Sequence, residues 1–164
     1  MTHITSFQGE YRWLSNFHRC RIIFEGREYP SSEHAYVAAK TTEESRRRYI
    51  SYLSTPGAAK RYGRKFTLRP DWDDIKLDVM YQIVKAKFTA HKDLAIKLVG
   101  TGDVELVEGN TWGDVFWGKC RGHGKNHLGK ILMQVREELK DDPLCEIVVD
   151  VKRKLEEEDF SGLI

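Results

Sequence analysis

The apolar pattern of residues 71–91 constrains the fold more than any other feature of the sequence. Apolar residues at helical spacing form one face of a helix, and other elements have to cover that face. Asp71 or Asp73 is placed to cap the N-terminus of this helix. We interpret the apolar face as core rather than as a cofactor-binding surface. Its members are Ile75, Val79, Met80, Ile83, Val84 and Phe88.

Helix-start residues and helix-ending glycines predict further, shorter helices. Ser31 or Ser32 is placed to cap the first of them, so that helix begins at Ser32 or Glu33. Thr41 and Glu44 have capping-box spacing at the second. An asparagine at position 126 is a candidate cap for the last. The predicted segments are 32–40, 41–53, 56–63, 92–102 and 126–140.

The remaining segments predict a few short strands. Residues 21–30 alternate around Gly26 as in a hairpin, and residues 104–110 are typical of a short strand and turn. This mixture predicts an α+β fold, a mostly helical single domain with a small antiparallel sheet. Residues 1–142 are expected to form this domain. Residues 143–164, a short apolar run with a charged tail, are expected to be a solvated C-terminal extension, packed on it or trailing from it.

Composition excludes several classes of protein. With 164 residues and 40% hydrophobic content, the chain fits one domain with a real core. Its 27 basic and 25 acidic residues are too balanced to indicate nucleic-acid binding by charge alone. Three separated cysteines without a CxxC pair argue against a disulfide framework. No secretion signal and no run of 18 apolar residues is present, so a soluble, unprocessed cytoplasmic protein without membrane contact is expected.

One pair of charged residues lies on the first predicted helix. Glu33 and Lys40 are seven residues apart, which places them on one face with Tyr36 and Val37 between them. This face is a candidate wall of a cleft. The alternative is that an acid in the first turn and a base in the last only satisfy the helix dipole.

A glycine-rich loop in residues 109–126 is the second candidate. It holds Trp112, Trp117 and Asp114 together with the cations Lys119 and Arg121. Glycines allow close approach of a ligand to the backbone, and tryptophan faces suit a nucleotide base. The alternative is a loop that wraps its own tryptophans as a small core. The glycine spacing is not that of a dinucleotide fingerprint.

Two further patterns carry weaker indications. The basic stretch in residues 60–69, which includes Arg64 and two aromatic rings, is either a solvated face or a phosphate contact. His123 and His127 are four residues apart, but no HExxH motif accompanies them. No metal site and no cofactor are therefore predicted.

Several segments, in order along the chain, resemble the NADAR family, also called YbiA-like. They are EYRWLSNF, YPSSEHAYVAAK, TPGAAKRYGRKFTLRPDW, VMYQIVKAKF and NTWGDVFWGKCRGHGKNHLGKILMQVREEL, and the likeness covers residues 7–139. The resemblance implies an α+β fold and an N-glycosidase without a metal. Members of the family cleave the bond between a base nitrogen and the ribose anomeric carbon. The implied substrates are ribosylamino pyrimidine phosphates of early riboflavin synthesis or ADP-ribosylated guanine, including guanine in nucleic acid.

The resemblance also assigns roles to individual residues. The family's SEHAYQA-type motif maps onto residues 32–38, which places its functional glutamate on Glu33 and its lysine on Lys40. Glu33 is expected to act as general acid or base. Lys40 is expected either to form a Schiff base with the opened ribose or to stabilise charge. Where the family commonly has glutamine this chain has Val37, on the face between these two residues, which leaves the identity of the substrate open.

The substrate itself is expected to contact several other residues. Trp112 and Trp117 would wall the base, Asp114 would hold the ribose hydroxyls as the third catalytic residue, and Asn126 would bond a ligand edge or merely cap its helix. Tyr36, Asn16 and Arg12 complete the predicted binding site. The phosphate is expected on Arg12, Arg64 or Lys119.

Two rival functions remain open at this point. One is a non-catalytic module that binds ADP-ribose or a related nucleotide with the same tryptophans and cations. The other is a nucleic-acid protein built on the basic stretch. The sequence leaves the oligomeric state undetermined.

Overall fold

The structure is a computed structural model that describes residues 3–161. Seven α-helices and six short strands account for most of this range, and a 3₁₀ helix covers Gly9–Leu14. The strands are β1 (His3–Ile4), β2 (Arg19–Phe24), β3 (Arg27–Ser31), β4 (Glu105–Leu106), β5 (Gly109–Asn110) and β6 (Lys119–Cys120). The helices are α1 (Ser32–Ala39), α2 (Glu44–Tyr52), α3 (Pro56–Gly63), α4 (Trp72–Ala90), α5 (Lys92–Gly100), α6 (His127–Leu139) and α7 (Pro143–Ser161).

The strands pair in three two-stranded sheets within the described residues. The predicted hairpin is β2–β3, and the positive φ angles of Glu25 and Gly26 form its two-residue turn. Two parallel pairs, β1–β4 and β5–β6, were not predicted. Each of their strands has only two residues, too few for an alternating pattern. The α+β, mostly helical prediction is confirmed, but the sheet structure is not wholly antiparallel.

Helix α4 lies at the centre of the molecule, as its apolar face predicts. It contacts α1, α5, α6 and β2, and Met80, Ile83, Val84 and Phe88 on that face are at most 1% exposed. Burial of each such side chain contributes about 1.5–3 kcal/mol to folding. Asp71 precedes the helix but does not cap it with its side chain. Its carboxylate instead pairs with Arg69, with Arg69 Nε 2.6 Å from Asp71 Oδ1.

Helix α1 is buried on every side. All eight of its residues are buried, and it packs against α2, α3, α4 and the hairpin. The Ser31 hydroxyl accepts from the backbone N–H of His34, which confirms the predicted cap. Because no face of α1 meets open solvent, a polar side chain on it is costly unless it has a protein partner or opens into a cavity, and the Ser32 hydroxyl has no hydrogen-bond partner among the described residues.

The capping box predicted at the start of α2 is wrong. Helix α2 begins at Glu44, because the Thr41 hydroxyl accepts from the N–H of Glu43 at 3.1 Å instead of forming a capping box. The C-terminal extension is helical over its described length, and its first turns dock on α5 with Cys145 buried. The prediction of a solvated segment holds for residues 150–158, which are exposed.

The long helices α4 and α7 both carry charged side chains along their length. In the part of the chain that the structure describes, no helix is long and apolar enough to cross a membrane.

Candidate active site

A cavity of about 690 Å³ opens between α1, α3, the 3₁₀ helix and the glycine-rich loop. It collects the predicted site residues except Asn126 and the phosphate candidate Lys119. These are Arg12, Asn16, Glu33, Tyr36, Lys40, Arg64, Trp112, Asp114 and Trp117. Residues from four separate parts of the sequence therefore meet at one place, as the predicted site requires.

Glu33 lies in the first turn of α1 and is 9% exposed. Its backbone N–H donates to the carbonyl of Asn16 at 3.0 Å, which ties the helix start to the loop after the 3₁₀ helix. Burial raises the pKa of the Glu33 carboxyl, and the nearby Asp114 carboxylate raises it further. The ammonium groups of Lys40 and Lys60 act in the opposite direction. The carboxyl thus lies between cations and an anion at the cavity wall.

Lys40 is the C-cap residue of α1 and reaches the same cavity. Burial lowers the pKa of its amine, the Glu33 carboxylate opposes this, and the cations Lys60 and Arg64 add to the lowering. Its Nζ lies 5.0 Å from the centre of the Tyr36 ring. Among residues 3–161, no hydrogen bond or ion pair engages this amine. It is therefore available to a ligand.

The Tyr36 side chain lines the cavity beside Glu33 and Lys40. The indole N–H of Trp117 donates to the Tyr36 hydroxyl oxygen at 3.1 Å, and the two rings meet edge to face. Burial raises the pKa of Tyr36 far above its ordinary value, so the phenol keeps its proton. Since the indole already occupies an acceptor position on the oxygen, the phenol hydrogen is free to point to a ligand.

The loop that carries Asp114 is ordered by its own hydrogen bonds. Asp114 Oδ1 accepts from the N–H groups of Phe116 and Trp117 at 3.1 and 2.9 Å. The side-chain amide of Asn110 also holds Asp114. Its nitrogen donates to the Asp114 carbonyl at 2.8 Å, and its oxygen accepts from the Asp114 N–H at 3.0 Å. Trp112 remains 54% exposed at the cavity rim. Both interpretations of the loop thus hold in part, because it packs its own residues and still faces the cavity.

The phosphate candidates separate into two groups. Arg12 and Arg64 line the main cavity. Lys60 and Arg61, the two cations of the basic stretch that lie on α3, line it as well. Lys119 does not line it. It lies with Arg121 in an adjoining cavity of about 660 Å³, which shares Gln8, Gly109 and Trp112 with the first.

The prediction for Asn126 is wrong. This residue is 2% exposed, has a left-handed backbone with φ of 53°, and does not cap α6. Its amide donates to the carbonyl of Leu106 and accepts from the N–H of Glu108, both at 3.0 Å. Asn126 therefore joins α6 to β4 and to the segment after it, and its side chain does not line the cavity.

The placement of Val37 on the cavity wall is also wrong. Val37 is fully buried and faces α3, where a Cβ atom added to Gly63 would lie 2.9 Å from its Cγ1. At about 100° per residue, Tyr36 and Val37 diverge to opposite sides of Glu33. The cavity lies on the Tyr36 side. The sequence pattern predicted that Glu33, Tyr36 and Lys40 share one face of α1, but it did not show on which side of that face the cavity lies.

One acidic residue of the cavity was missed. Glu108 lines the cavity close to Glu33 and Asp114, and burial together with these carboxylates raises its pKa to about 7. Its only sequence signal is an acid directly after an apolar run and before a glycine, which we interpreted as a strand and turn. No three His, Cys, Asp or Glu side chains in residues 3–161 are grouped as metal ligands.

Comparison with known proteins gives consistent matches. A family model described as a NADAR domain matches residues 4–140, so α7 lies beyond it. The chain is 39% identical to the N-glycosidase YbiA of Escherichia coli, covering 82% of this chain and 85% of that protein. It is 42% identical to a riboflavin biosynthesis protein of Vibrio vulnificus over 79% of this chain, but it spans only 36% of that protein. The NMR structure of Escherichia coli YbiA matches with a TM-score of 0.76 at 34% identity, covering 88% of this chain and 92% of that one.

Proposed function

The chain belongs to the NADAR domain family and is an N-glycosidase, and we propose that its substrate is a ribosylamino pyrimidine phosphate of riboflavin synthesis. The observation that carries this proposal is the meeting of Glu33 and Lys40 in one cavity with a cationic wall and two tryptophans. This set of groups suits a ligand with a phosphate, a ribose and a base. The riboflavin-related name of the Vibrio vulnificus relative supports the choice of pathway.

The cationic wall suits a phosphate ester. Arg12, Lys60, Arg61 and Arg64 all line the cavity. Guanidinium groups form paired hydrogen bonds with phosphate oxygens, and ammonium groups add point charges. With the phosphate held there, the base extends toward the tryptophans, where aromatic faces stabilise it by stacking at about 1–3 kcal/mol.

Cleavage of an N-glycosidic bond develops positive charge on the ribose and leaves an electron pair on the base nitrogen. The Glu33 carboxylate is suited to stabilise the sugar cation or to activate the attacking water. The buried position of Glu33 strengthens this electrostatic effect, because little water screens the charge. The free Asp114 carboxylate oxygen and the Tyr36 hydroxyl are suited to hold ribose hydroxyls.

Lys40 supports two routes. In the first, its neutral amine forms a bond to the anomeric carbon as the base leaves with the bonding electrons and takes a proton. Opening of the ring then gives a Schiff base, which water hydrolyses to release the sugar. Burial favours this route, because it lowers the pKa of the amine. In the second, the ammonium form remains and stabilises charge beside Glu33.

The test is release of free base, followed by chromatography. The parent protein, Glu33→Gln and a control, Glu137→Gln, are each incubated with a ribosylamino pyrimidine phosphate. Glu137 is exposed on α6 and pairs with Lys140. We expect release by the parent and the control and a loss of at least about 100-fold in Glu33→Gln. No release by the parent would contradict this substrate, and no release from ADP-ribosylated guanine as well would favour a non-catalytic nucleotide-binding module.

A second candidate substrate is ADP-ribosylated guanine, and the adjoining cavity favours it. A second phosphate and a nucleoside need space and charge beyond the first site, and the cavity across Trp112 offers both through Lys119 and Arg121. If this substrate is used, Arg121→Ala raises its KM and leaves the KM of the monophosphate unchanged. Equal effects on both substrates would argue against the extended site.

A further inference from the structure

Glu108 is a second acid of the cavity, half-buried, and its backbone is fixed on both sides. Its N–H donates to the side chain of Asn126 at 3.0 Å, and its carbonyl accepts from the N–H of Lys119 at 2.9 Å. The Asn110 amide donates to Glu108 Oε2 at 3.2 Å. These bonds aim the carboxyl into the cavity rather than toward solvent.

Gly118, which lies against Glu108 in the fold, is needed for this placement of the carboxyl. A Cβ atom added to Gly118 would overlap both Oε2 and the carbonyl oxygen of Glu108. Any side chain at position 118 would therefore displace the carboxyl from the cavity. Glu108, which is not part of the family motif on α1, is thus held by Gly118, the Asn110 amide and two backbone hydrogen bonds.

The two glutamates have different electrostatic surroundings. Burial raises the pKa of the Glu33 carboxyl, while the ammonium groups of Lys40 and Lys60 near it favour its ionised form. Burial raises the pKa of Glu108 to about 7, the carboxylates of Asp114 and Glu33 add to this, and the hydrogen bond from Asn110 and the Lys60 ammonium oppose it. The cations thus lie mainly at Glu33 and the anions mainly at Glu108, the kind of difference by which two carboxyl groups divide the roles of anion and proton donor.

We propose that Glu108 donates the proton to the departing base nitrogen, while Glu33 and Lys40 act at the anomeric carbon. The inference rests on the proposed N-glycosidase function. The bond between the anomeric carbon and the nitrogen breaks, its electron pair passes to the nitrogen, and that nitrogen takes the proton of the Glu108 carboxylic acid. The carboxylate that remains is stabilised by the Asn110 amide and Lys60, and solvent returns the proton after the products leave.

The test compares leaving groups. Glu108→Gln keeps the size of the side chain and an oxygen that accepts from Asn110, but it has no acidic proton. It is assayed on a ribosylamino pyrimidine phosphate, whose base needs a proton, and on 4-nitrophenyl riboside 5-phosphate, whose nitrophenolate leaves without one. We expect kcat on the first substrate to fall by about 100-fold or more and kcat on the second to fall by less than about 3-fold. Glu137→Gln, the same control as above, is expected to match the parent on both.

The pH profile gives a second readout that does not depend on the nitrophenyl substrate. A proton donor is active while it is protonated, so kcat/KM of the parent for base release falls as pH rises through about 7. In Glu108→Gln this fall is absent.

Three results would overturn the inference. An equal loss on both substrates would assign Glu108 a purely structural role, and no loss on either would remove it from the reaction. If kcat/KM of Glu108→Gln fell with pH as it does in the parent, titration of Glu108 would not be the cause of that fall. If the parent cleaves neither substrate, the proposed ribosylamino pyrimidine phosphate substrate itself fails, and this outcome is distinct from a failure of Glu108 alone.

Discussion

Lys87 in the core and Lys40 at the cavity both have an amine whose pKa is lowered by burial, but the two amines have different partners. Lys87 on α4 is 1% exposed, and burial lowers the pKa of its amine to about 8. Its ammonium donates to the carbonyls of Trp13 and Ser15 at 2.7 and 3.1 Å. Lys40 is also desolvated with a lowered pKa, but it faces the cavity and has no such donor bonds within the described residues.

The comparison shows that burial and a shifted pKa do not by themselves indicate a catalytic group. Lys87 donates its hydrogens to the end of the 3₁₀ helix and so positions that helix, which carries Arg12, and the loop after it, which carries Asn16. Lys40 keeps its amine for whatever enters the cavity. What distinguishes the two lysines is therefore whether the amine has an unpaired donor or lone pair that faces the cavity.

The largest effect on activity is expected for Lys40→Ala. If Lys40 acts at the anomeric carbon, kcat/KM falls by about 1,000-fold or more, while stability is unchanged or rises because a desolvated amine is removed. Borohydride added during turnover distinguishes the two roles of Lys40. A covalent adduct in the parent that is absent from Lys40→Ala indicates the Schiff base, and no adduct in either indicates charge stabilisation.

The opposite outcome is expected for Lys87→Met. Two carbonyls lose their donor at a cost of about 1–3 kcal/mol each, partly offset because a buried charge is removed. We expect the free energy of unfolding in urea to fall by about 2 kcal/mol, kcat to remain near that of the parent, and KM to rise as Arg12 shifts. A loss of kcat as large as that in Lys40→Ala would erase the distinction between the two lysines.

The pH dependence of stability sharpens the same comparison. A lysine whose pKa is lowered in the folded state binds fewer protons there than in the unfolded chain. Between about pH 8 and 10.5, stability contributed by Lys87 therefore rises with pH. The difference in free energy of unfolding between the parent and Lys87→Met should widen by about 1–3 kcal/mol from pH 7 to pH 10. A constant difference would mean that Lys87 stays charged throughout this range.

The smallest effect on activity is expected for Val37→Thr. A hydroxyl in the contact with Gly63 has no partner, so the free energy of unfolding should fall by about 1–2 kcal/mol. Because Val37 faces α3 and not the cavity, the ratio of kcat/KM between the two candidate substrates should remain that of the parent. A changed ratio would return Val37 to the substrate site.

Sequence patterns located most of the helices and the residues that meet in the cavity. Helical spacing placed Glu33, Tyr36 and Lys40 on one face, and a cap at Ser31 fixed where that helix begins. Spacing alone does not say which side of that face is covered, so Val37 was misplaced. That information is tertiary, because it depends on the contact with Gly63.

Other features lack a local signal. The strand predicted in residues 104–110 is present as β4 and β5, but with two residues each they carry no local pattern that indicates their parallel pairing or the position of Glu108 between them. Asn126 has the residue type of a cap, but its left-handed backbone lets the amide bond the segment after β4. The roles of Glu108 and Asn126 follow only from long-range contacts.

The role of Lys40 can be separated from that of Lys87 in one experiment, which follows release of free base from a ribosylamino pyrimidine phosphate by the parent, Lys40→Ala and Lys87→Met. Single time courses at saturating substrate, with folding checked by circular dichroism, are sufficient. We expect similar kcat for the parent and Lys87→Met and only background release by Lys40→Ala. Equal release by all three proteins would contradict this expectation, because the cavity lysine would then be no more important to the reaction than the lysine in the core.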